Sequence, residues 1–193
     1  VSPITDVKVK NEDLVLSTMG RGFWILDNLT PIYQLDEQLS QKDVHLFSPR
    51  DAYRMRYYGG GIYGGAPQYP ESGAMIDFYL SELPKEQLTL DILDNNGNIV
   101  RRFIGIAGDE TDNGEVSTEQ NDMIPNTNTS YGEPDDFNIQ QGHNRFTWNL
   151  RYPSNTIPAE DGQNFFGAFA GPMAVPGSYQ VRLTLGDYSE TQA

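Results

Sequence analysis

The chain has no cysteine, so disulfides and thiol chemistry are both excluded and the sequence records no redox compartment. Histidine is nearly absent: His45 and His143 stand far apart, each in a strand-edge context, with no serine or aspartate pattern that suggests a catalytic triad. Basic residues are scarce, 13 Lys and Arg against 27 Asp and Glu, for a net charge of -14 and a pI near 4.3. A nucleic-acid binder needs a basic footprint to displace counterions from phosphate, so that class is excluded, and anionic lipid is disfavoured for the same reason. Solubility in a crowded or salty exterior is one meaning of this charge; cation binding is the other. No apolar run of membrane-spanning length and no signal-peptide pattern is present, though a piece cut from a larger protein would lose both. Long apolar stretches with 3.6-residue periodicity are missing too, which excludes a helical architecture. The glycine cluster Gly59–Gly65 has no following helix or lysine, so it is no phosphate cradle. The many acids include no pair in a recognisably rigid setting, as glycoside hydrolysis requires.

What is present points to an all-β fold. With 193 residues the chain is long enough to bury a core, yet only 37% of it is hydrophobic, and 19 glycines and 12 prolines favour short strands and long loops. "DVKVK" alternates Val7 and Val9 with lysines, the pattern of a half-buried strand; "DLVLST" and "GFWIL" follow after turns at Asn11-Glu12 and Met19-Gly20-Arg21. Three antiparallel strands in so short a span make a β-meander. A further strand is expected at Val44–Phe47. From Ala74 the alternation is cleaner: Ala74, Ile76, Phe78 and Leu80 share one face, and Leu88, Leu90 and Ile92 repeat the pattern. "DNNGN" places Asn and Gly where a tight hairpin needs positive φ, and "IVRRFI" returns from it. "NRFTWNL" then aligns Phe146, Trp148 and Leu150, with Trp148 expected in the core; "GSYQVRLTL" aligns Tyr179, Val181, Leu183 and Leu185. Arg145 and Arg151 are placed to pair with carboxylates. Together these strands describe an antiparallel β-sandwich preceded by a β-meander.

Three units are therefore expected: residues 1–30 as the meander, 31–73 as a connecting segment, and 74–193 as the sandwich with an acidic insertion at 105–141. The connecting segment holds "GGGIYGGAPQYPESG", where Tyr57, Tyr58, Tyr63 and Tyr69 can stack on sugar rings or pin a long loop onto a neighbouring sheet. Residues 105–141 carry nine acids and no Lys or Arg, which reads as a solvated excursion. Within it "GDETDNGE" offers Asp109, Asp112 and Asn113 as candidate calcium ligands beside Gly114. The match to an EF-hand loop is poor, since Thr111 takes the third position and no Glu closes the loop. Calcium is the only cofactor the residues suggest.

"LTLDILDNNGNIVRRF", "GHNRFTWNLRYP" and "PMAVPGSYQVRLTLGD" resemble, in this order, the blocks of an Ig-like module similar to the flagellar hook-capping Ig-like domain. Asn149 stands where many relatives have Asp. "DLVLSTMGRGFWILDNLTPI", followed by "SPRDAYRMRY" and "ESGAMIDFYL", is similar to the end of the propeller in secreted bacterial proteins of the sortilin-type and neuraminidase-repeat, glycosyl-hydrolase-like class; Met19 replaces the more usual His. The resemblance implies an Ig-like antiparallel β-sandwich preceded by the remnant of a last propeller blade, within a piece cut from a larger protein. It implies a secreted, periplasmic or cell-surface location, with the preceding blades as partners and polysaccharide as a second partner. It carries no catalytic residue onto this chain. The expected function is a non-catalytic accessory or interaction module. The alternatives are part of the substrate cleft of a carbohydrate-active hydrolase and a calcium-dependent adhesion module.

Overall fold

The computed structural model describes residues 2–55, 72–107, 135–153 and 171–193. Tyr57, Tyr58, Tyr63 and Tyr69, and the candidate calcium ligands Asp109, Asp112 and Asn113, lie outside the described residues. The chain is all-β, with eleven strands among the described residues in three sheets. β1 (Ile4–Lys10), β2 (Asp13–Thr18) and β3 (Phe23–Leu26) form the expected antiparallel meander. β4 (Val44–Leu46), β5 (Ala74–Leu80) and β9 (Gly142–Trp148) form a second sheet in the order β4-β5-β9. β6 (Leu88–Leu93), β7 (Ile99–Ala107), β8 (Asp136–Ile139), β10 (Gln180–Leu185) and β11 (Tyr188–Gln192) form a third, ordered β11-β10-β6-β7-β8.

The second and third sheets face each other as a sandwich because each contributes one apolar face. Ile76, Phe78 and Leu80 of β5 meet Leu88, Leu90 and Ile92 of β6, Phe103 of β7 and Val181 and Leu183 of β10, all buried. Aromatic rings tie the two layers together: Phe103 lies 4.5 Å from Phe146 by ring centroid, and Phe137 lies 4.9 Å from Phe146. Trp148 is buried as expected, its indole N–H donating to the Arg151 carbonyl at 3.0 Å.

Both long sides of the sandwich are closed. On one side β8 runs into β9 through Gln140 and Gln141, and the buried Asn144 side chain holds that corner by bonding the backbone of Gln140 and Gly142. Gly142 takes φ 94°, a conformation glycine reaches without a Cβ penalty. On the other side the free edge of β4 meets β11: Leu46 N–H donates to Glu190 Oε2 at 2.8 Å, and Gln192 Nε2 donates to the Leu46 carbonyl at 3.3 Å. Side chains thus satisfy an edge that would otherwise invite another strand.

Three features differ from the sequence reading. β7 and β8 pair in parallel, so the larger sheet is mixed. β7 continues to Ala107 and β8 occupies Asp136–Ile139, so both flanks of the acidic insertion are sheet. Val7 and Val9 are exposed instead of half-buried, because among the described residues nothing covers β1. In addition, the segment before β4 forms a short helix, α1 (Thr30–Tyr33), and a single 3-10 turn at Leu39–Gln41.

Candidate functional site

The junction between the meander and the sandwich is an extended polar assembly. Its centre is Asp77, which points from β5 to the outer face of its sheet but is only 2% exposed, with the equally buried Asn28 bonded to it. Arg145, its cross-strand partner on β9, donates Nε to Asp77 Oδ1 at 2.8 Å. The same guanidinium donates to the carbonyls of Asp27 at 2.9 Å and Asn28 at 3.2 Å, where the meander ends. His143 Nε2 lies 2.9 Å from Asp77 Oδ1, and Asn28 Nδ2 donates to Oδ2 at 2.9 Å. Burial pushes the Asp77 carboxyl up, but the bonds and charges of His143 and Arg145 outweigh it and hold the group below its ordinary value.

The β1–β2 turn, at the same end of the meander, is tied to the same place. Asn11 and Glu12 both adopt positive φ, 51° and 63°, which makes the β1–β2 turn a tight two-residue loop. The Glu12 carbonyl accepts from Leu29 N–H at 2.7 Å, and Asp13 Oδ1 accepts from Asn28 N–H at 2.9 Å. Arg50 reaches over from the sandwich side to Asp13 at 2.8 Å. Gln34 in turn fixes the strap carrying Arg50, since its amide bonds both the N–H and the carbonyl of Ser48. The meander is therefore held at its base by charged bonds, one of them from Asn28 to the buried Asp77.

Two clefts share the strap Pro49–Tyr53. The first, about 840 Å³, lies between the meander and the sandwich and is lined by Glu12, Asp13, Asp27, Arg50, Asp51 and Gln34 among others. Met55 and Ser72, where the glycine- and tyrosine-rich segment leaves and rejoins the described chain, also line it, with Ser72 Oγ donating to the Met55 carbonyl at 3.1 Å. The second, about 590 Å³, opens between the two sheets at the end of the sandwich, and its walls include Trp148, Leu150, Val175 and Tyr179.

Among the described residues nothing covers the outer faces of the meander. Register places Val7, Val9, Leu14, Leu16, Trp24 and Leu26 on one face, a wholly apolar set. Phe23 and Trp24 are 77% and 59% exposed. The other face is mixed, with Lys8 beside Val15 and Ile25.

The two buried acid centres were invisible in the sequence. Arg145 was expected to find a carboxylate and does; among the described residues the guanidinium of Arg151 donates to the Gly171 carbonyl at 2.9 Å. Asp91, buried on β6, is held between Arg102 of β7 at 2.6 Å and Arg182 of β10 at 2.7 Å. That row of three sits on the outer face of the larger sheet, and only its register reveals it. His45 lies 3.4 Å from Glu190, so each histidine stands beside a carboxylate from a distant strand. Among the described residues no group of three or more His, Asp or Glu is arranged to hold a metal ion. Comparison with protein-family models, with curated proteins and with solved structures finds no match in any of the three.

Proposed function

We propose that this chain is a non-catalytic accessory module whose sandwich carries β1–β3 as a docking sheet for neighbouring β-sheet units of the same, longer parent protein. One observation carries the reading: the meander presents a fully apolar face to solvent while its base is locked to the sandwich through Asp77, Arg145 and Asn28. A contiguous exposed apolar face of this kind marks a surface that packs against another unit. Three strands of this length offer roughly 20 by 14 Å of surface. That is well below the ~800 Å² a side that independent proteins bury in a stable complex. A partner tethered in the same chain needs far less area, because linkage supplies the effective concentration. This fits the resemblance to secreted sortilin-type and neuraminidase-repeat propeller proteins, in which β1–β3 would belong to a last blade and the whole would act at or beyond the cell surface.

Paired stability measurements test it. Val9→Asp combined with Trp24→Asp changes the stability of the 193-residue chain by no more than about 0.5 kcal/mol, since both residues are exposed. In the protein as its gene encodes it, upstream residues included, the same pair costs about 3–5 kcal/mol, the scale of losing a buried aromatic. Equal indifference in both proteins rejects the proposal.

The alternative, a share in a carbohydrate-binding cleft, draws on one observation: Met55 and Ser72, the roots of the tyrosine-rich segment, line the junction cleft. Loss of polysaccharide binding on joint replacement of Tyr57, Tyr58, Tyr63 and Tyr69 by alanine would favour it over the docking role.

A further inference from the structure

The cleft at the end of the sandwich has a chemistry of its own, independent of the meander. Its floor is the end of the core, where Ile76 and Trp148 close it from below. Leu150, Val175 and Tyr179 form its walls, and Tyr53, 73% exposed, stands on the strap at its mouth. At about 590 Å³ it falls within the size range of small-molecule sites, which combine mostly apolar walls with a few polar groups that orient the ligand.

The polar group that matters is Arg54. In a chain with twice as many acids as bases, most arginines of the sandwich and strap are already paired: Arg50 with Asp13, Arg101 with Asp135, Arg102 and Arg182 with Asp91, and Arg145 with Asp77. Arg151 is occupied by a backbone carbonyl. Arg54 has no carboxylate partner among the described residues; its Nε lies 3.1 Å from the Met173 sulfur, a weak acceptor. A guanidinium presents a planar fork of donors that matches a carboxylate, and here that fork stands at the rim of an apolar cleft. Asp51, on the same strap and also lining the cleft, disfavours a second negative charge beside it.

We propose that this cleft binds a small amphiphilic monocarboxylate, with the apolar body against Trp148, Leu150 and Tyr179 and the carboxylate on Arg54. The two tryptophans make the test unambiguous, because Trp148 floors this cleft while Trp24 lies on the meander. Their two indole N–H resonances are followed in the full chain while 4-phenylbutyrate, 4-phenylbutanol and 4-phenylbutylamine are titrated separately at physiological salt. The expected result is a saturable shift of the Trp148 resonance with an unmoved Trp24, and binding of the carboxylate about tenfold tighter than the alcohol, the scale of one charge-assisted hydrogen bond. Arg54→Gln, a change at an exposed position, abolishes the preference for carboxylate over alcohol and leaves the alcohol's affinity as it was. No shift of Trp148, tightest binding by the amine, or a carboxylate preference that survives in Arg54→Gln would each overturn the proposal.

Discussion

Asp77 and Asp91 are the buried acids among the described residues. Each sits on the outward face of a strand and is nonetheless buried, and each is held by two basic side chains brought in by strand register. Removing the arginine from such a group leaves an uncompensated buried charge, so Arg145→Met, which strands the buried Asp77 carboxylate, is expected to cost about 3–5 kcal/mol by denaturant unfolding. The pH dependence follows from the sign of the shifts. For Asp91, as for Asp77, burial raises the carboxyl but the bonds from Arg102 and Arg182 lower it further, below the ordinary 3.8. Glu190 is likewise held below its ordinary 4.5, where burial is outweighed by the bonds from Tyr188 and the Leu46 N–H. A carboxyl whose folded-state pKa is depressed contributes stability that is complete above its unfolded value and lost as pH falls through the folded one. Stability from these three groups should therefore hold down to about pH 5 and fall steeply below about pH 4, followed by the denaturant midpoint across that range. Little of this was legible beforehand. Asp77 and Arg145 are 68 residues apart in sequence, and nothing local distinguishes them from the other acids and bases until β5 and β9 are paired.

At the scale of elements the sequence was far more informative. Alternation placed β5, β6 and β10 with their inward faces correct, because in each strand the residues at alternate positions form an apolar set that enters the core. "DNNGN" did what its residues suggest: Asp94 accepts from the N–H groups of Asn96 and Asn98, and Gly97 takes φ 79°. The spacing Gly142, Asn144, Phe146, Trp148 also has a physical reading. The first turns the chain, the second pins the corner backbone, and the last two enter the core. β11 escaped notice because its residues are polar and its inward face is satisfied by hydrogen bonds to β4 instead of apolar contact. The signal that should have found it is Gly186-Asp187, a two-residue loop with Gly186 at φ 54°. β8 was missed for a different reason, since it pairs in parallel and so lacks the hairpin turn that announces an antiparallel neighbour. Two substitutions probe this level. Glu190→Ala leaves the Leu46 N–H at the edge of β4 without its partner and should cost about 1–3 kcal/mol in denaturant unfolding. Gly73→Ala places a Cβ against the Trp148 carbonyl oxygen and should be at least as costly, with the loss seen as reduced hydrogen-exchange protection at the start of β5 and the end of β9.

For the molecule as a whole, the informative contrast is between a well-closed sandwich and a bare meander. The sandwich has its edges bridged, its outward acids paired and its core filled with aromatic rings from both layers. The meander shares none of that economy: six apolar residues occupy one face, and β3 presents Phe23, Trp24, Ile25 and Leu26 consecutively to solvent along an edge that no described strand pairs. The sequence pattern identified these strands correctly yet implied burial for Val7 and Val9, since alternation shows that a face is apolar but not what lies against it. The rigid base through Asp13, Asn28, Asp77 and Arg145 fixes how that face is presented.

The docking role is tested most directly by the structure of the protein as its gene encodes it, with whatever precedes Val1 included. The account predicts a β-sheet packed about 10 Å from the meander over Val7, Val9 and Trp24, the spacing of stacked sheets, with the Asp77–Arg145–Asn28 junction unchanged. A meander still bare on that face, or a rearranged junction with Trp24 folded back onto the sandwich, would contradict it.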